Sequence, residues 1–324
     1  MADSPSDTQA PTLSWPRLLA GTVLGLAALA LVGRQIDRDA LLKALSGLAL
    51  GWLVLACLVD LLAFGLRALK WRVLLGGSGQ VRYLPVLRAT VIGAMTTDVL
   101  PLRLDELVRA HLIGRHSGLP RSQILGTIAI ERCLDVCMLL MLLGALAWTT
   151  QLTPQILTGG AVLLSALLLA GLLYSLGPRS GGGSAMGEIF SELAIGMRAA
   201  RGRILAASAP WVLEWVALLA MFNLILIAFG LPGSGSHALA MLVASFLVFA
   251  FPITPGAAGV YEAAITGMLV ARGLPPEQAL AIALTAHTVV LTPTTLLGAL
   301  FLAVEDLGLA DLLGAVPRPA KRAA

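Results

Sequence analysis

The sequence predicts an all-α polytopic membrane protein, with about six full transmembrane helices and two opposed re-entrant helical hairpins in an inverted repeat. Of its 324 residues, 58% are hydrophobic and only 12% are charged, whereas soluble domains carry about 25% charged residues. Several apolar stretches approach or exceed the length of about 20 residues that an α-helix needs to cross the hydrocarbon core. A short sequence pattern also occurs twice at a fixed separation.

Six apolar segments are the predicted full spans. They are residues 16–33, 45–66, 122–150, 155–176, 204–230 and 277–304. All six belong to a single transmembrane domain, residues 16–304. A tail rich in Ser, Pro and Asp precedes it at residues 1–15, a composition typical of disorder, and a basic tail follows at residues 305–324.

The distribution of positive charge predicts the orientation, because cytoplasmic loops carry an excess of Lys and Arg. Residues 67–82, 103–121 and 177–203 are basic, as is the C-terminal tail. The connections at 151–154 and 231–236 carry no positive charge. We therefore expect both termini to lie in the cytoplasm.

Two further apolar segments are interrupted and do not fit a single crossing. Segment 83–118 begins and ends beside cytoplasmic charge and is broken at Pro101, whereas segment 237–272 starts on the opposite side and is broken at Pro252 and Pro255. Non-helical backbone at membrane depth persists only where it is buried in protein or lines a cavity. Each segment is therefore predicted to be a re-entrant hairpin.

The repeated pattern has an offset of 155 residues. The positions Gly118, Leu119, Pro120, Gln123 and Leu125 recur as Gly273, Leu274, Pro275, Gln278 and Leu280. One interpretation is that Gly-Leu-Pro only marks helix starts. The charge pattern favours the other, in which units at about 45–150 and 204–304 form an inverted repeat. In transporters such a repeat places the substrate site at its interface, near the membrane midplane.

Charged side chains within the apolar segments are candidate functional residues, because each costs about 2.5–3.5 kcal/mol at the bilayer centre on insertion scales. In the first unit the candidates for substrate binding are Arg67, Arg88, Arg103, Glu106, Arg109, Glu131, Arg132 and Asp135. In the second unit the candidates are Glu262 and His287, together with Pro255, Gly256 and Gly259 of the break that precedes Glu262. Two further acids, Asp60 and Glu214, lie deep in the leading span of each unit.

Most of these candidates also have a purely structural interpretation. Arg103 and Arg109 either contact a phosphate or extend to the cytoplasmic head groups. Glu131 either belongs to the site or pairs with Arg132 or a neighbouring helix to fix the packing. Glu262 either faces the cavity or caps the helix that follows the break.

Neither catalytic nor metal-binding residues are predicted. Cys57, Cys133 and Cys137 lie in apolar segments without a Cys-x-x-Cys or Cys/His pattern, and the sequence has no HExxH or DDxxD motif. A nucleic-acid partner is not expected, because no basic soluble face exists to bind one. We therefore expect no cofactor, no metal and no enzymatic activity.

Four motifs, in order along residues 45–304, resemble the lysylphosphatidylglycerol synthase transmembrane-region family, also described as a flippase-like membrane domain. They are Arg67-x3-Trp71, Leu100-Pro101-x-Arg103-x-Asp105-Glu106-x2-Arg109, Glu131-Arg132-x2-Asp135 and Pro252-x2-Pro255-Gly256-x2-Gly259-Val260-x-Glu262. Three positions depart from the family pattern. Asp98 stands near the usual Asn, Asp105 replaces a Gly, and His287 replaces a frequent Arg.

The resemblance implies a multi-pass protein of the bacterial plasma (inner) membrane that translocates a lipid with a phosphate-bearing head group. The implied substrate is a phospholipid or a polyprenyl- or hopanoid-type lipid. Arg103, Arg109 and Arg132 would hold the phosphate. The aminoacyl-transferase domain that gives the family its name is a separate soluble domain, so lysyl transfer is not carried over.

Two alternative functions are kept beside this one. The first is an intramembrane lipid-modifying enzyme, and the second is a non-transporting partner of a lipid-synthesis enzyme. In the transporter interpretation, Glu106, Glu131 and Glu262 either hold the arginines or recognise a cationic head group. In the partner interpretation, neutral substitutions at Arg103 and Glu131 would leave the function intact.

Cysteine-accessibility labelling tests the predicted topology. On a background without native cysteines, single cysteines in both tails and near Gly118 should react only from the cytoplasmic side, because segment 83–118 is expected to return to its side of entry. Single cysteines within 231–236 should react from the periplasmic side. Periplasmic labelling near Gly118 would contradict the hairpin.

Overall fold

The computed structural model describes residues 37–76, 81–99, 104–150, 197–198, 200–231, 233, 235–250 and 254–305. The predicted spans 16–33 and 155–176, the N-terminal tail and residues 306–324 lie outside these ranges. Arg103, Pro101 and Pro252 also lie outside them.

The described residues form helices joined by turns, without a strand, which confirms the all-α prediction for this part of the chain. The α-helices are α1 (Arg38–Ser46), α2 (Leu50–Leu75), α3 (Tyr83–Val99), α4 (Asp105–Ser117), α5 (Arg121–Thr150), α6 (Ile204–Ala228), α7 (Gly235–Ala250), α8 (Val260–Val270) and α9 (Pro276–Val304). Two 3₁₀ turns, Arg201–Arg203 and Pro255–Ala257, precede α6 and α8.

Three helical segments among the described residues are long and apolar enough to cross a membrane: Leu50–Leu75, Arg201–Ala228 and Pro276–Val304. They correspond to three of the six predicted full spans. Helix α5 has 30 residues, starting one residue before its predicted span. Helices α7 and α8 have 16 and 11 residues, which is shorter than the about 20 residues of a full crossing.

One predicted boundary is wrong. Residues 67–75 are not part of a basic cytoplasmic loop, because helix α2 continues without interruption to Leu75. Arg67 and Lys70 are three residues apart and lie on the helix face that packs into the protein, so that both pair with acids. Neighbouring helices neutralise these charges, and the helix therefore does not end where they begin.

Each predicted hairpin is a pair of consecutive helices that pack against one another, α3 with α4 and α7 with α8. The second break is a sharp turn in which Gly256, Ala257 and Gly259 have φ angles of 55°, 58° and 81°. This left-handed conformation is one that glycine adopts at little cost. The end of α3 lies directly on this turn, since a Cβ at Gly256 would be 3.0 Å from the Asp98 carbonyl oxygen. The end of α3 therefore meets the second break.

The sequence repeat coincides with a repeat of helix boundaries. Helices α4 and α8 begin at Asp105 and Val260, and α5 and α9 begin at Arg121 and Pro276, a separation of 155 residues in both cases. Gly118 follows α4 and Gly273 ends the turn after α8. These two glycines also match, since both have positive φ angles, 64° and 92°. The order α2–α3–α4–α5 is thus followed by α6–α7–α8–α9 with similar spacing.

Close helix contacts rest on small residues, as is usual where membrane helices pack. Helix α2 packs along α6, and α9 packs along α3. Gly298 of α9 is the tightest point, because a Cβ there would be 2.7 Å from the Met95 Cβ and 3.1 Å from the Val91 carbonyl oxygen. Gly144 of α5 is exposed and has no atom within 4 Å of such a Cβ.

We expect Gly298→Ala to lower the melting temperature of the detergent-solubilised protein, because the new methyl group forces α9 away from α3 at a cost of about 1–3 kcal/mol. Gly144→Ala is the matched control. It should leave stability unchanged or raise it by up to about 1 kcal/mol through helix propensity. Equal melting temperatures for the two variants would contradict this account of the α3–α9 contact.

Candidate functional site

Nine charged side chains from α2, α4, α5 and α6 form one continuous set of contacts, which we call the ion-pair network. Its cations are Arg67, Lys70, Arg109 and Arg132, and its acids are Asp105, Glu106, Glu131, Asp135 and Glu214. The network joins both units of the repeat, because Glu214 belongs to α6 whereas the other eight residues belong to the first unit.

Lys70 is the centre of this network. Its Nζ atom lies 2.8 Å from Glu214 Oε2, 3.1 Å from Asp135 Oδ1 and 4.0 Å from Glu131 Oε1, and its side chain is fully buried. The Lys70–Glu214 contact is an ion pair without hydrogen-bond alignment. Sequence analysis missed this residue by assigning it to a loop. The signal was its position ten residues after Asp60 and three after Arg67, on the same face of one helix.

Three neighbouring residues fix the position of the Arg109 side chain. Its guanidinium donates hydrogen bonds of 2.6 and 3.3 Å to Glu131, and it lies 4.0 Å above the Trp71 ring. Gly93 allows this approach, since a Cβ there would be 2.9 Å from Arg109 Cγ. With 2% of its surface exposed, Arg109 does not extend to the head groups. Its partner is Glu131, so of the two structural alternatives for Glu131 the observed one is pairing with a neighbouring helix, α4.

Arg132 holds α4 against α5. Its Nη2 lies 2.9 Å from Asp105, its Nε 3.1 Å from Glu106 and its Nη1 3.5 Å from Asp135. In contrast to Arg109, its side chain is 28% exposed, and that of Glu106 is 39% exposed. Arg132 is therefore a cation with three acidic partners and an accessible surface.

Arg67 connects α2 to α6. Its Nε donates a 2.7 Å hydrogen bond to Glu214, its guanidinium lies over the Phe64 ring, and its side chain is 19% exposed. Since Lys70 contacts the other Glu214 oxygen, a single acid of the second unit is bound by two cations of the first. This contact fixes the relative position of the two leading helices.

In the second unit, Glu262 caps the helix that follows the break and also contacts His287. Its Oε2 accepts a 2.7 Å hydrogen bond from the Gly259 N–H at the start of α8, and its Oε1 lies 2.7 Å from His287 Nδ1. The second ring nitrogen of His287 lies 2.7 Å from the Gly256 carbonyl oxygen. The predicted residues Gly256, Gly259, Glu262 and His287 are thus brought together, with Pro255 opening the same turn.

The ion-pair network borders a cavity of about 230 Å³ between the two units. Its lining includes the charged side chains of Arg67, Asp105, Arg109, Arg132 and Asp135. It also includes the apolar side chains of Phe64, Leu139, Leu218, Met221, Phe222, Phe246, Phe249 and Val290. This volume is below the about 300–1,000 Å³ of pockets that enclose a whole drug-sized ligand, so it suits a head group rather than a complete lipid.

Two acids that also line this cavity were not among the predicted binding residues. Asp60 is 2% exposed, and its Oδ2 has no hydrogen-bond partner among the described residues. Asp98 accepts a 3.1 Å hydrogen bond from Thr295. Sequence analysis identified Asp60 as an intramembrane acid and Asp98 as a departure from the family pattern. Neither observation placed them in one cavity.

Of the predicted binding residues, Arg67, Arg109, Arg132 and Asp135 line the cavity. The predicted residues Glu106, Glu131, Gly256, Gly259, Glu262 and His287 do not line it, so Glu262 caps its helix without facing this cavity. Arg88 pairs with Glu305 at 2.7 Å and lies 5.9 Å from the Phe301 ring centroid, and it does not line the cavity. Arg103 lies outside the described residues. Among those described, no group of three or more His, Cys, Asp or Glu side chains has an arrangement that could hold a metal ion.

Long apolar helices pack around a buried ion-pair network and a cavity lined by both charged and apolar side chains. This arrangement defines a polytopic α-helical membrane protein. The chain belongs to the family described as the lysylphosphatidylglycerol synthase transmembrane region, whose model matches residues 18–298. This membership connects the protein to lipid metabolism in a membrane. A search of curated proteins found no match to the chain.

The burial of the two glutamates predicts different consequences of removing their charge. Glu131→Gln should destabilise the protein by about 3–5 kcal/mol, because it leaves Arg109 without its counter-charge in a fully buried position. Glu106→Gln should cost less than about 1 kcal/mol, since this side chain is part-exposed and Arg132 keeps two other acids. Thermal unfolding in detergent measures both, and similar losses would contradict the assignment of Glu131 as the buried anchor.

Proposed function

We propose that this protein translocates a lipid with a phosphate-bearing head group across the bilayer and makes or breaks no covalent bond. In this proposal the cavity between the two units receives the head group, while the acyl or isoprenoid chains stay in the surrounding hydrocarbon. The substrate class is a phospholipid or a polyprenyl- or hopanoid-type lipid. A lipid-synthesis enzyme of the same membrane is the corresponding partner.

The observation that carries this proposal is that one cavity is lined by both charged and apolar side chains. The charged lining includes the guanidinium groups of Arg67, Arg109 and Arg132. The apolar lining includes phenylalanine rings. A head group needs the first surface to replace its water, and the carbons that link it to its chains need the second.

The three arginines have different roles in this proposal. Arg109 is only 2% exposed, pairs with Glu131 through both terminal nitrogens and lies over the Trp71 ring, although its Nε has no hydrogen-bond partner among the described residues. We therefore assign it the role of holding the cavity lining in shape. Arg67 and Arg132 retain exposed surface at the cavity. Arginine binds phosphate through a planar, bidentate set of donors. We therefore assign phosphate contact to Arg67 and Arg132, rather than to Arg109 as the sequence had suggested.

The repeat supports a mechanism for the movement. We infer that the two units are inverted, that α3–α4 and α7–α8 are re-entrant, and that both termini lie on the cytoplasmic side of a bacterial inner membrane. The break at Gly256 contacts the end of α3 at Asp98, a residue that lines the cavity. A shift of either helix pair at this contact would change which side of the membrane the cavity faces.

Transport is tested with the purified protein in phosphatidylcholine liposomes that contain tail-labelled fluorescent phosphatidylglycerol. Dithionite bleaches only the outer leaflet, so translocation appears as bleaching of the inner-leaflet lipid. Wild type should exceed protein-free liposomes, and Arg67→Gln and Arg132→Gln should each reduce the rate at least about tenfold, the effect of losing one charge-assisted phosphate contact. Melting temperatures of the same preparations distinguish loss of binding from loss of folding.

Arg88→Gln is the matched control. This arginine also lies in an apolar helix and pairs with an acid, but it does not line the cavity, so its transport rate should stay near that of wild type. Unchanged transport in folded Arg67→Gln and Arg132→Gln would contradict the head-group site. Bleaching by wild type no greater than in protein-free liposomes would contradict phosphatidylglycerol transport itself.

A further inference from the structure

His287 uses both ring nitrogens, and its partners determine how many protons it holds. The Gly256 carbonyl oxygen lies 2.7 Å from Nε2, and Glu262 Oε1 lies 2.7 Å from Nδ1. A carbonyl oxygen can only accept, so Nε2 must carry a hydrogen, and in a neutral imidazole Nδ1 then has none. The short contact to Glu262 therefore requires one more proton, either on Nδ1 or on the Glu262 carboxyl group.

This additional proton holds together a turn that is otherwise strained. Glu262 also accepts the Gly259 N–H at 2.7 Å, so the pair binds two points of the break, Gly256 and Gly259. Between them Ala257 has a φ angle of 58°, a conformation that costs a non-glycine residue energy and persists only where the surroundings impose it. Loss of the proton would leave a single N–H on the imidazole, so that either Nδ1 faces the carboxylate oxygen or Nε2 faces the Gly256 carbonyl oxygen with a lone pair, and that contact would become repulsive.

The pair is buried where α8, α9 and the turn at Gly256 meet. His287 and Glu262 are 6% and 7% exposed, and Tyr261 of α8 stacks on the imidazole at 4.4 Å between ring centroids. The Tyr261 hydroxyl accepts a 3.0 Å hydrogen bond from Ser245 of α7. The other ionisable groups whose charge reaches these residues are Asp98 of α3 and Asp60 of α2, and neither forms an ion pair with a described residue.

The first unit contains a counterpart that cannot lose a proton. Glu106 contacts Arg132 at 3.1 Å, and these two positions correspond to Glu262 and His287 at offsets of 156 and 155 residues. Arginine stays charged under all physiological conditions. Each contact joins the second helix of a pair to the helix that follows it, α4 to α5 and α8 to α9, and the two acids are one residue out of register in the repeat. Only the second contact has a base that can release its proton.

We propose that Glu262 and His287 together form a proton-binding site that controls the α7–α8 pair: one bound proton closes the turn at Gly256, and its release opens it. In the context of the proposed transport function, on which only this last step rests, the proton is the coupling ion. The site takes up the proton when the turn closes and gives it up when the turn opens, so that one proton moves with each cycle of the helix pair.

The site is tested without transport by the reactivity of a cysteine in the turn. Ala258 is exposed, so Ala258→Cys is introduced on the cysteine-free background and labelled with a maleimide from about pH 5.5 to about pH 9, a range that includes the ordinary histidine midpoint of about 6.5. The same cysteine in a His287→Arg protein reports the intrinsic pH dependence of the thiol. The ratio of the two rates should rise about tenfold with pH, as expected for loss of one charge-assisted hydrogen bond.

A constant ratio would overturn the proposal. Nitrogen-15 NMR of histidine-labelled protein gives a second measurement, with the His287 signals assigned by their loss in His287→Arg. Wild type should show a protonated Nε2 and an Nδ1 in a shared, strong hydrogen bond that Glu262→Gln converts to an ordinary neutral nitrogen. An unprotonated Nε2, or signals unchanged by Glu262→Gln, would also overturn it. His116→Gln, which removes an exposed histidine paired with Glu305, is the control and should leave both measurements unchanged.

Transport under an imposed pH gradient then tests the coupling. Wild type should respond to the gradient, His116→Gln should respond equally, and His287→Arg should not. Transport by wild type that ignores the gradient would overturn the coupling while leaving the transport function intact. Absence of lipid transport at every pH, with the cysteine ratio still pH-dependent, would instead reject the transport function and retain the proton site.

Discussion

The neutralisation of Lys70 and Glu131 at the centre of the helix bundle is the constraint on which the rest of the structure depends. Each charge placed in the hydrocarbon core costs about 2.5–3.5 kcal/mol on insertion scales, and removing one member of a buried pair leaves its partner uncompensated. Because Lys70 contacts acids on α5 and α6, and Glu131 contacts Arg109 on α4, four helices are held in one relative position. The cavity exists because these helices cannot slide past one another without separating charges.

The charge is concentrated in one half of a repeated fold. At an offset of 155 residues, the positions of Arg67, Arg109 and Glu131 are occupied by Phe222, Ala264 and Ala286. The first unit thus provides the arginines of the cavity lining, and the second provides much of its aromatic and aliphatic surface. The Glu262–His287 pair of the second unit lies outside this lining.

Glycine residues allow the helices of this arrangement to approach one another closely. Gly93 leaves room for Arg109 beside α3, Gly298 lets α9 approach the same helix, and Gly256 brings the second break against the Asp98 carbonyl group. All three contacts involve α3, which the Arg109 side chain, helix α9 and the turn at Gly256 each approach closely. Helix α3 connects the ion-pair network to the proton site, and a shift of this helix would be felt at both.

Some features of this fold were determined locally and could be read from the sequence. The apolar lengths of α6 and α9, the starts of α5 and α9 to within one residue, and the break before Glu262 follow from hydrophobicity, proline and glycine alone, because they depend on residues close in the chain. The correspondence of Arg132 with His287 was also visible, since a repeat is a property of the sequence.

Which acid each buried cation pairs with was decided only by the tertiary structure. The sequence placed Lys70 and Arg67 in a loop because positive charge beside an apolar segment usually marks its end. Only α5 and α6, which approach from 61 to 147 residues away along the chain, supply the acids that allow both residues to remain in the helix. The tertiary structure likewise distinguishes two arginines of the apolar helices: Arg88 pairs with Glu305, whereas Arg132 lines the cavity. Local sequence determines which charges are buried, but the folded arrangement of the helices decides what each buried charge can bind.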